Sequence, residues 1–445
     1  MMMIVRMKEY SNSLLIIFFI SFVIGQSLQE PLRFDDFSVY RIIPYQQDHI
    51  QYLQQLAANE SFFGENHVNF WKFPTTSLNH SVDVMFSPKA KEELLPGMRQ
   101  MNFDIRRMIN NVQERIDAEN ELKGRQMTND KGQFSRNYAQ FFSTYQRYPQ
   151  IIAALDALAD DHPELASIET IGQSTEKRAL KVIKISRGTN EHYKKRKIWI
   201  DGGFHAREWI SPATALFVAH KLVTEDGRDP TVVDILDKFD VHILPLANPD
   251  GYEYTHDYNR MWRKTRSRSS SRWGFLCRGT DPNRNFGYKW RTGGSSNNPC
   301  SDIYAGEKAF SEPETIAIRD YILKEAPWDV YLTLHSYSQL VLSPWGWTED
   351  LPQDYLELYR VAQLASQSMQ KLYGTQYNYG ATTRVLYVAS GGSDDWAYGE
   401  VGVKYSYTFE LRDTGDSGFL LPDAQIVPQG LEFWEGFVTL LKELR

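Results

Sequence analysis

His205 and Glu208 stand three residues apart in His205-Ala206-Arg207-Glu208, directly after the apolar run Ile198-Trp199-Ile200-Asp201-Gly202-Gly203-Phe204. An imidazole and a carboxylate at the end of a strand are two parts of a zinc site. Catalytic zinc takes three protein ligands of these types and leaves a fourth position for water or substrate, so a third ligand should lie further along the chain. His335 is the best candidate. It closes a second strand-like run, Asp329-Val330-Tyr331-Leu332-Thr333-Leu334, and opens His335-Ser336-Tyr337-Ser338-Gln339. A His-x-x-Glu pair is common among solvated residues, so the reading depends on what surrounds it.

Two parallel strands ending side by side would bring both histidines to one edge of a sheet. The apolar patterning supplies such strands at 167–172, 181–185, 198–204, 241–246 and 329–334. Helices are expected at 145–162, 212–223 and 314–325, the second with Ala215, Phe217 and Ala219 turned toward the sheet. This alternation predicts an α/β fold with a mixed, mostly parallel sheet covered by helices on both faces, and active residues at its carboxyl edge. Ahead of it, 37–43, 70–73, 81–86 and 103–112 read as strands and 46–56 and 89–95 as helices, a small α+β unit of β-α-β-β-α-β character. The alternation of the strand at 81–86 suits an edge-accessible sheet. From 114 to 131 the chain turns polar and charged, which marks a linker and a processing site, with Arg125 the favoured bond for a trypsin-like protease.

The chain has 445 residues, 42% hydrophobic and 13% aromatic, enough for a large core and two or three domains. Arg6 and Lys8 precede the run from Leu14 to Ile24, which is too short to span a bilayer and is followed by Gly25-Gln26, as in a secretory signal. A secreted, extracellular, monomeric protein without a membrane span is expected, divided into a signal over 1–25, a small domain over 26–113, a linker over 114–134 and a larger domain over 135–445. The only two cysteines, Cys277 and Cys300, suit a disulfide in that compartment, contributing about 3 kcal/mol. Asn59 and Asn79 begin glycosylation acceptor patterns. A net charge of -7 supplies no positive field for nucleic acid. The basic run 263–272 is read as a solvated loop with one or two residues turned inward, and otherwise as a weak polyanion site.

Three further segments complete a set: Asp281-Pro282-Asn283-Arg284-Asn285-Phe286, the stretch from Leu386 to Trp396, and the stretch from Lys404 to Gly415. With the two histidine segments they resemble the secreted zinc metallocarboxypeptidases of the pancreatic A/B type over 135–445, and the preceding hundred residues resemble that family's activation domain. The resemblance implies one zinc per chain on His205, Glu208 and His335, with Asp281 orienting the first histidine or, alternatively, capping the turn at Pro282. It implies Glu410 as general base, unless that carboxylate is paired to Arg412, and Arg263 as the group that carries developing charge on the scissile carbonyl. Asn283 and Arg284 match the positions that hold a free C-terminal carboxylate, Tyr387 a mobile tyrosine, and Arg207 and Tyr337 further substrate contacts. The implied substrates are peptide and protein C-termini.

Asp394 matches the base of the pocket for the terminal side chain, where an aspartate calls for a cation and hence terminal Lys or Arg. Two features pull the other way. Gly346 has the character of an A-type pocket, suited to aromatic or aliphatic ends, and Arg384 could pair with Asp394 and neutralise it. A non-catalytic binder of C-termini and a zinc amidase on the same fold are the remaining alternatives, and the Asn283, Arg284 and Tyr387 group favours peptide ends.

Overall fold

A computed structural model of the protein describes residues 30–58, 67–127, 138–188, 194–269 and 277–445. The signal over 1–25 and the Asn59 pattern lie outside the described residues. Among the described residues no helix is long and apolar enough to cross a membrane.

The N-terminal unit runs β1 (Ser38–Ile43), α1 (Gln47–Ala58), β2 (Val68–Lys72), β3 (Val82–Phe86), α2 (Pro88–Gln100), β4 (Asp104–Ile109) and α3 (Val112–Met127). Its four strands form an antiparallel sheet in the order β2-β3-β1-β4. Val82, Val84 and Phe86 pack with Leu53, Leu95 and Met98 on the helical side. Asp83 and Met85 take the opposite face, and all five residues of β3 are buried. The alternation in β3 suits an edge-accessible sheet; the strand instead lies between β2 and β1, and its second face docks, with Trp71 and Met85, against Met261, Tyr337 and Phe419 of the larger unit.

The polar segment expected as a linker is helical as far as Met127. Val112, Gln113, Ile116 and Glu119 are buried on one side of α3, a helical spacing that the surrounding charged residues obscure in the sequence.

The second unit contains α4 (Tyr148–Asp161), β5 (Ala166–Gln173), β6 (Ala179–Ile185), β7 (Arg196–Gly202), α5 (Ile210–Thr224), α6 (Pro230–Lys238), β8 (Phe239–Leu244), α7 (Pro249–Asp257), α8 (Pro313–Glu325), β9 (Val330–Ser336), β10 (Leu340–Ser343), α9 (Tyr355–Tyr373), β11 (Asn378–Ala381), β12 (Tyr405–Leu411) and α10 (Ile426–Lys442). Its eight strands lie in the order β11-β10-β12-β9-β7-β8-β6-β5. The central four, β12, β9, β7 and β8, are mutually parallel. Ile198 and Ile200 enter the core under α4, α5 and α10, while Trp199 enters the core on the other face with Tyr321 and Tyr331. Strands buried on both faces read as unbroken apolar runs, which is why they stand out in the sequence.

α5 is buried on nearly every side, because α10 covers it opposite the sheet. Ala215, Phe217 and Ala219 therefore do not define a single inner face. A disulfide joins Cys277 to Cys300, closing a loop with a sequence separation of 23.

Candidate active site

β7 and β9 are adjacent and parallel, with Gly202 opposite Leu334, so His205 and His335 emerge from the same edge of the sheet. Gly203 begins the turn after β7 at φ 68°, and a Cβ there would lie 2.6 Å from Leu246 Cδ1; the position requires glycine. Glu208 follows within the turn, its amide donating to the His205 carbonyl at 3.2 Å.

The three side chains converge. His205 Nδ1 is 2.7 Å from Glu208 Oε1, and His335 Nδ1 is 3.1 Å from both His205 Nδ1 and Glu208 Oε2. His205 Nε2 faces Asp281 Oδ1 at 3.1 Å, so the proton belongs on Nε2 and the Nδ1 lone pair points inward. His335 Nε2 has Thr333 Oγ1 and Asn283 Nδ2 at 3.3 Å. Two imidazole nitrogens and a carboxylate facing one another, with one ligand atom from each lying within 4.8 Å of the others, fit the donor set of a zinc with an open corner.

Asp281 serves both readings of the sequence. Oδ1 accepts from the Asn283 amide at 2.9 Å, capping the turn, and also meets His205. Oδ2 accepts from Arg263 Nε and Nη2 at 3.1 and 2.8 Å. Burial works against that charge, but Arg263 and His205 hold the carboxyl well below its ordinary value. Arg263 Nη1 lies 3.8 Å from Glu208 Oε1, at the edge of the ligand cluster. The basic run turns inward further than its composition suggests: Lys264 is buried with it, its Nζ donating to the Pro299 carbonyl, and Arg266 is half-buried and stacks on Tyr254, while Arg268 stays exposed.

β12 pairs with β9 so that Glu410 sits opposite His335. Tyr405, Tyr407 and Phe409 enter the core, and Thr408 and Glu410 line the cleft. Arg412 pairs with Glu432 instead of Glu410. Burial pushes the Glu410 carboxyl up to about 8, with the Glu208 charge adding to the rise and His335 and Arg263 opposing it.

Asn283, Arg284, Tyr387 and Asp394 line the same cleft. Arg284 is buried, with Nε donating to the Gly294 carbonyl and Nη1 to the Asn283 carbonyl at 3.0 and 2.8 Å. Asp394 is buried 6% exposed and, among the described residues, has no cationic side chain in ion-pair range. Burial raises its carboxyl, which the Asp395 amide and the Thr408 hydroxyl partly oppose. Arg384 does not reach it: that side chain is exposed and lies over the Tyr355 ring. Gly346 forms part of the pocket wall, its amide held at 2.9 Å by Asp395.

The N-terminal unit covers this cleft. Arg207 is fully buried beneath it, donating to Asn69 Oδ1 at 2.9 Å and the Phe70 carbonyl at 3.2 Å. The Tyr337 hydroxyl donates to Asp83, and Phe73 packs edge-on against Tyr387. Asn69, Trp71 and Asp83 are absent from the sequence-based candidates. A signal existed for Asp83, a charge within the apolar run Val82-Asp83-Val84-Met85-Phe86.

The family model described as "Zinc carboxypeptidase" matches residues 151–436, and the one described as "Carboxypeptidase activation peptide" matches 40–119. Carboxypeptidase B of Astacus astacus is 49% identical over 296 residues, covering 66% of this chain and 95% of that protein. Carboxypeptidase A2 of Mus musculus is 40% identical over 407 residues, covering 92% and 93%. The crystal structure of thrombin activatable fibrinolysis inhibitor has a TM-score of 0.80 at 30% identity, covering 92% of this chain and 99% of that one. Carboxypeptidase A from Helicoverpa armigera has a TM-score of 0.83 at 29% identity, covering 93% and 98%. The two family matches fall on the two sheets in turn, cover then cleft, and the chain accordingly belongs to the zinc carboxypeptidases, as an enzyme that carries its own activation peptide.

Proposed function

We propose that the mature enzyme releases C-terminal Lys or Arg from peptides and proteins, and that Asp394 sets this preference. The observation that carries the reading is a buried carboxylate in the cleft without a cation of its own among the described residues, which a terminal guanidinium or ammonium would supply. Similarity to a protein named carboxypeptidase B supports it. Gly346 and the relatives named carboxypeptidase A favour a second reading, in which the pocket takes aromatic or aliphatic ends.

His205, Glu208 and His335 would hold the zinc, which supplies Lewis acidity toward water and an amide carbonyl. Glu410, opposite His335 at the edge of the ligand cluster, takes a proton from the attacking water and returns it to the leaving amine. Arg263 carries negative charge developing on the carbonyl oxygen. Asn283 and Arg284 bind the terminal carboxylate, while Tyr387, Arg207 and Tyr337 contact the chain upstream once the cover has gone.

The domain limits 26–113, 114–134 and 135–445, a secretory signal over 1–25, and cleavage by a trypsin-like protease at or after Arg125 belong to the same proposal, as does a monomeric, extracellular enzyme. The test is a panel of peptides ending in Arg, Phe and Glu, assayed after trypsin treatment for wild type and Asp394→Leu. Preference for Arg that disappears in the variant supports the assignment; preference for Phe in the wild type, or an Arg preference unchanged in the variant, overturns it.

A further inference from the structure

At the end of the sheet away from the catalytic edge, where β7 and β8 begin, a cavity of about 400 Å³ opens between α6 and the C-terminal end of α10. Its floor is apolar: Ile235, Phe239, Val438 and Leu441 are all buried side chains that nonetheless line the cavity. Its rim is cationic, with Lys194, Arg196, Lys238 and Lys442 against the single carboxylate of Asp234.

The rim charges are not equivalent. Lys238 is already paired with Asp234 at 2.6 Å, and Arg196 with Asp329 at 3.0 Å. Lys194 and Lys442 are exposed and, among the described residues, have no ion pair. Both belong to the lining, so two uncompensated ammonium groups overlook one apolar cavity. The volume falls within the roughly 300–1,000 Å³ of small-molecule sites. An apolar body would gain by covering the floor, and an anionic head would gain by meeting the free lysines.

We propose that this cavity binds a free amphiphilic anion of the medium-chain fatty acid type, with its alkyl chain on Ile235, Phe239, Val438 and Leu441 and its carboxylate between Lys194 and Lys442. A concave site between two helices accepts a single chain; a bilayer surface would meet only the lysine rim. The site is separate from the carboxylate-binding arginine of the cleft. It joins the first strand residues and α6 to the last turn of α10, so occupancy would tie the C-terminal helix to the sheet.

Isothermal titration of the full-length zymogen with dodecanoate below its micelle concentration tests this. Saturable binding at one site is expected, with clearly weaker binding of dodecanol, which lacks the charge. The double variant Lys194→Glu, Lys442→Glu should bind dodecanoate about tenfold more weakly or less, with peptidase activity after trypsin treatment unchanged. Arg284→Ala should bind as wild type does. No saturable binding, equal affinity for dodecanol, no effect of the double charge reversal, or loss of binding in Arg284→Ala would each overturn the proposal, the last by moving the ligand to the cleft.

Discussion

The Tyr337 hydroxyl donates to Asp83 Oδ2 across 2.7 Å in a buried contact between the two units. Asp83 also accepts from Arg41 Nε and Nη2, both at 2.7 Å, and Arg41 reaches on to the Thr414 carbonyl at 2.6 Å. One carboxylate thus organises a tyrosine and an arginine at the lip of the cleft. Asp83→Ala should weaken the cover by roughly 2–3 kcal/mol, since Arg41 and Tyr337 lose a desolvated partner. Uncleaved protein carrying that change should hydrolyse a short peptide at least several-fold faster than wild-type zymogen. Equal background rates would show that Asp83 contributes nothing to closure.

Glu410→Gln keeps the shape of the side chain and removes its proton transfer. A loss of about 10²–10⁴-fold in kcat is expected, with KM little changed. Zinc content should stay at one per chain, because the ligand cluster is His205, Glu208 and His335. Full turnover in this variant would remove Glu410 from the mechanism.

Asp281→Asn should lower zinc affinity about 10–100-fold, because His205 loses the carboxylate that fixes its tautomer. Competition with a chromogenic chelator measures this directly. The substitution also takes the negative partner from Arg263, so kcat at saturating zinc should fall as well.

Glu314, which does not line the cleft, carries a pH signature of its own. Oε1 accepts from the Thr175 amide at 2.9 Å, and Oε2 is buried without a hydrogen-bond partner. Burial, with the nearby Glu312 and Asp250 charges adding, pushes its carboxyl from 4.5 up to about 8. A group whose pKa rises on folding gives stability that is fully present below the unfolded value and is lost as pH climbs toward the folded one. Wild-type stability should therefore decline through this group between 4.5 and about 8. Glu314→Gln resembles the protonated acid, and should equal wild type near the bottom of that window and exceed it by about 1 kcal/mol or more at the top. Urea midpoints across the window check it.

Legibility in the sequence followed the cause of burial. Strands β7 and β9 are enclosed by their own domain on both faces, so Ile198-Trp199-Ile200 and Val330-Tyr331-Leu332 betray themselves, and the polar residues at their ends betray the site. The alternation in β12 likewise sends Phe409 to the core and Glu410 to the cleft. Asn69 was opaque because Arg207, which covers it, lies 138 residues away, and Asp83 showed only as a charge in an apolar run because its partner Tyr337 is 254 residues away. Lys264 and Arg266 misled for a related reason: a buried ammonium and a half-buried guanidinium are stabilised here by the Pro299 carbonyl and the Tyr254 ring, partners that composition does not reveal. Charged residues on its open side hid the buried side of α3 in the same way.

Glu119 on α3 grips the buried Arg260 of the larger unit through Oε2 on Nε at 2.8 Å and Oε1 on Nη2 at 3.1 Å. Because Glu119 precedes Arg125, a cut at or beyond that residue would sever the tether and leave this grip, and those of Asp83 and Asn69, untouched. Scission alone would then expose nothing; it converts an intramolecular embrace into a bimolecular complex that must come apart. Peptidase activity should trail the appearance of cleaved chain by a lag, shortened by dilution and prolonged by adding back the liberated fragment.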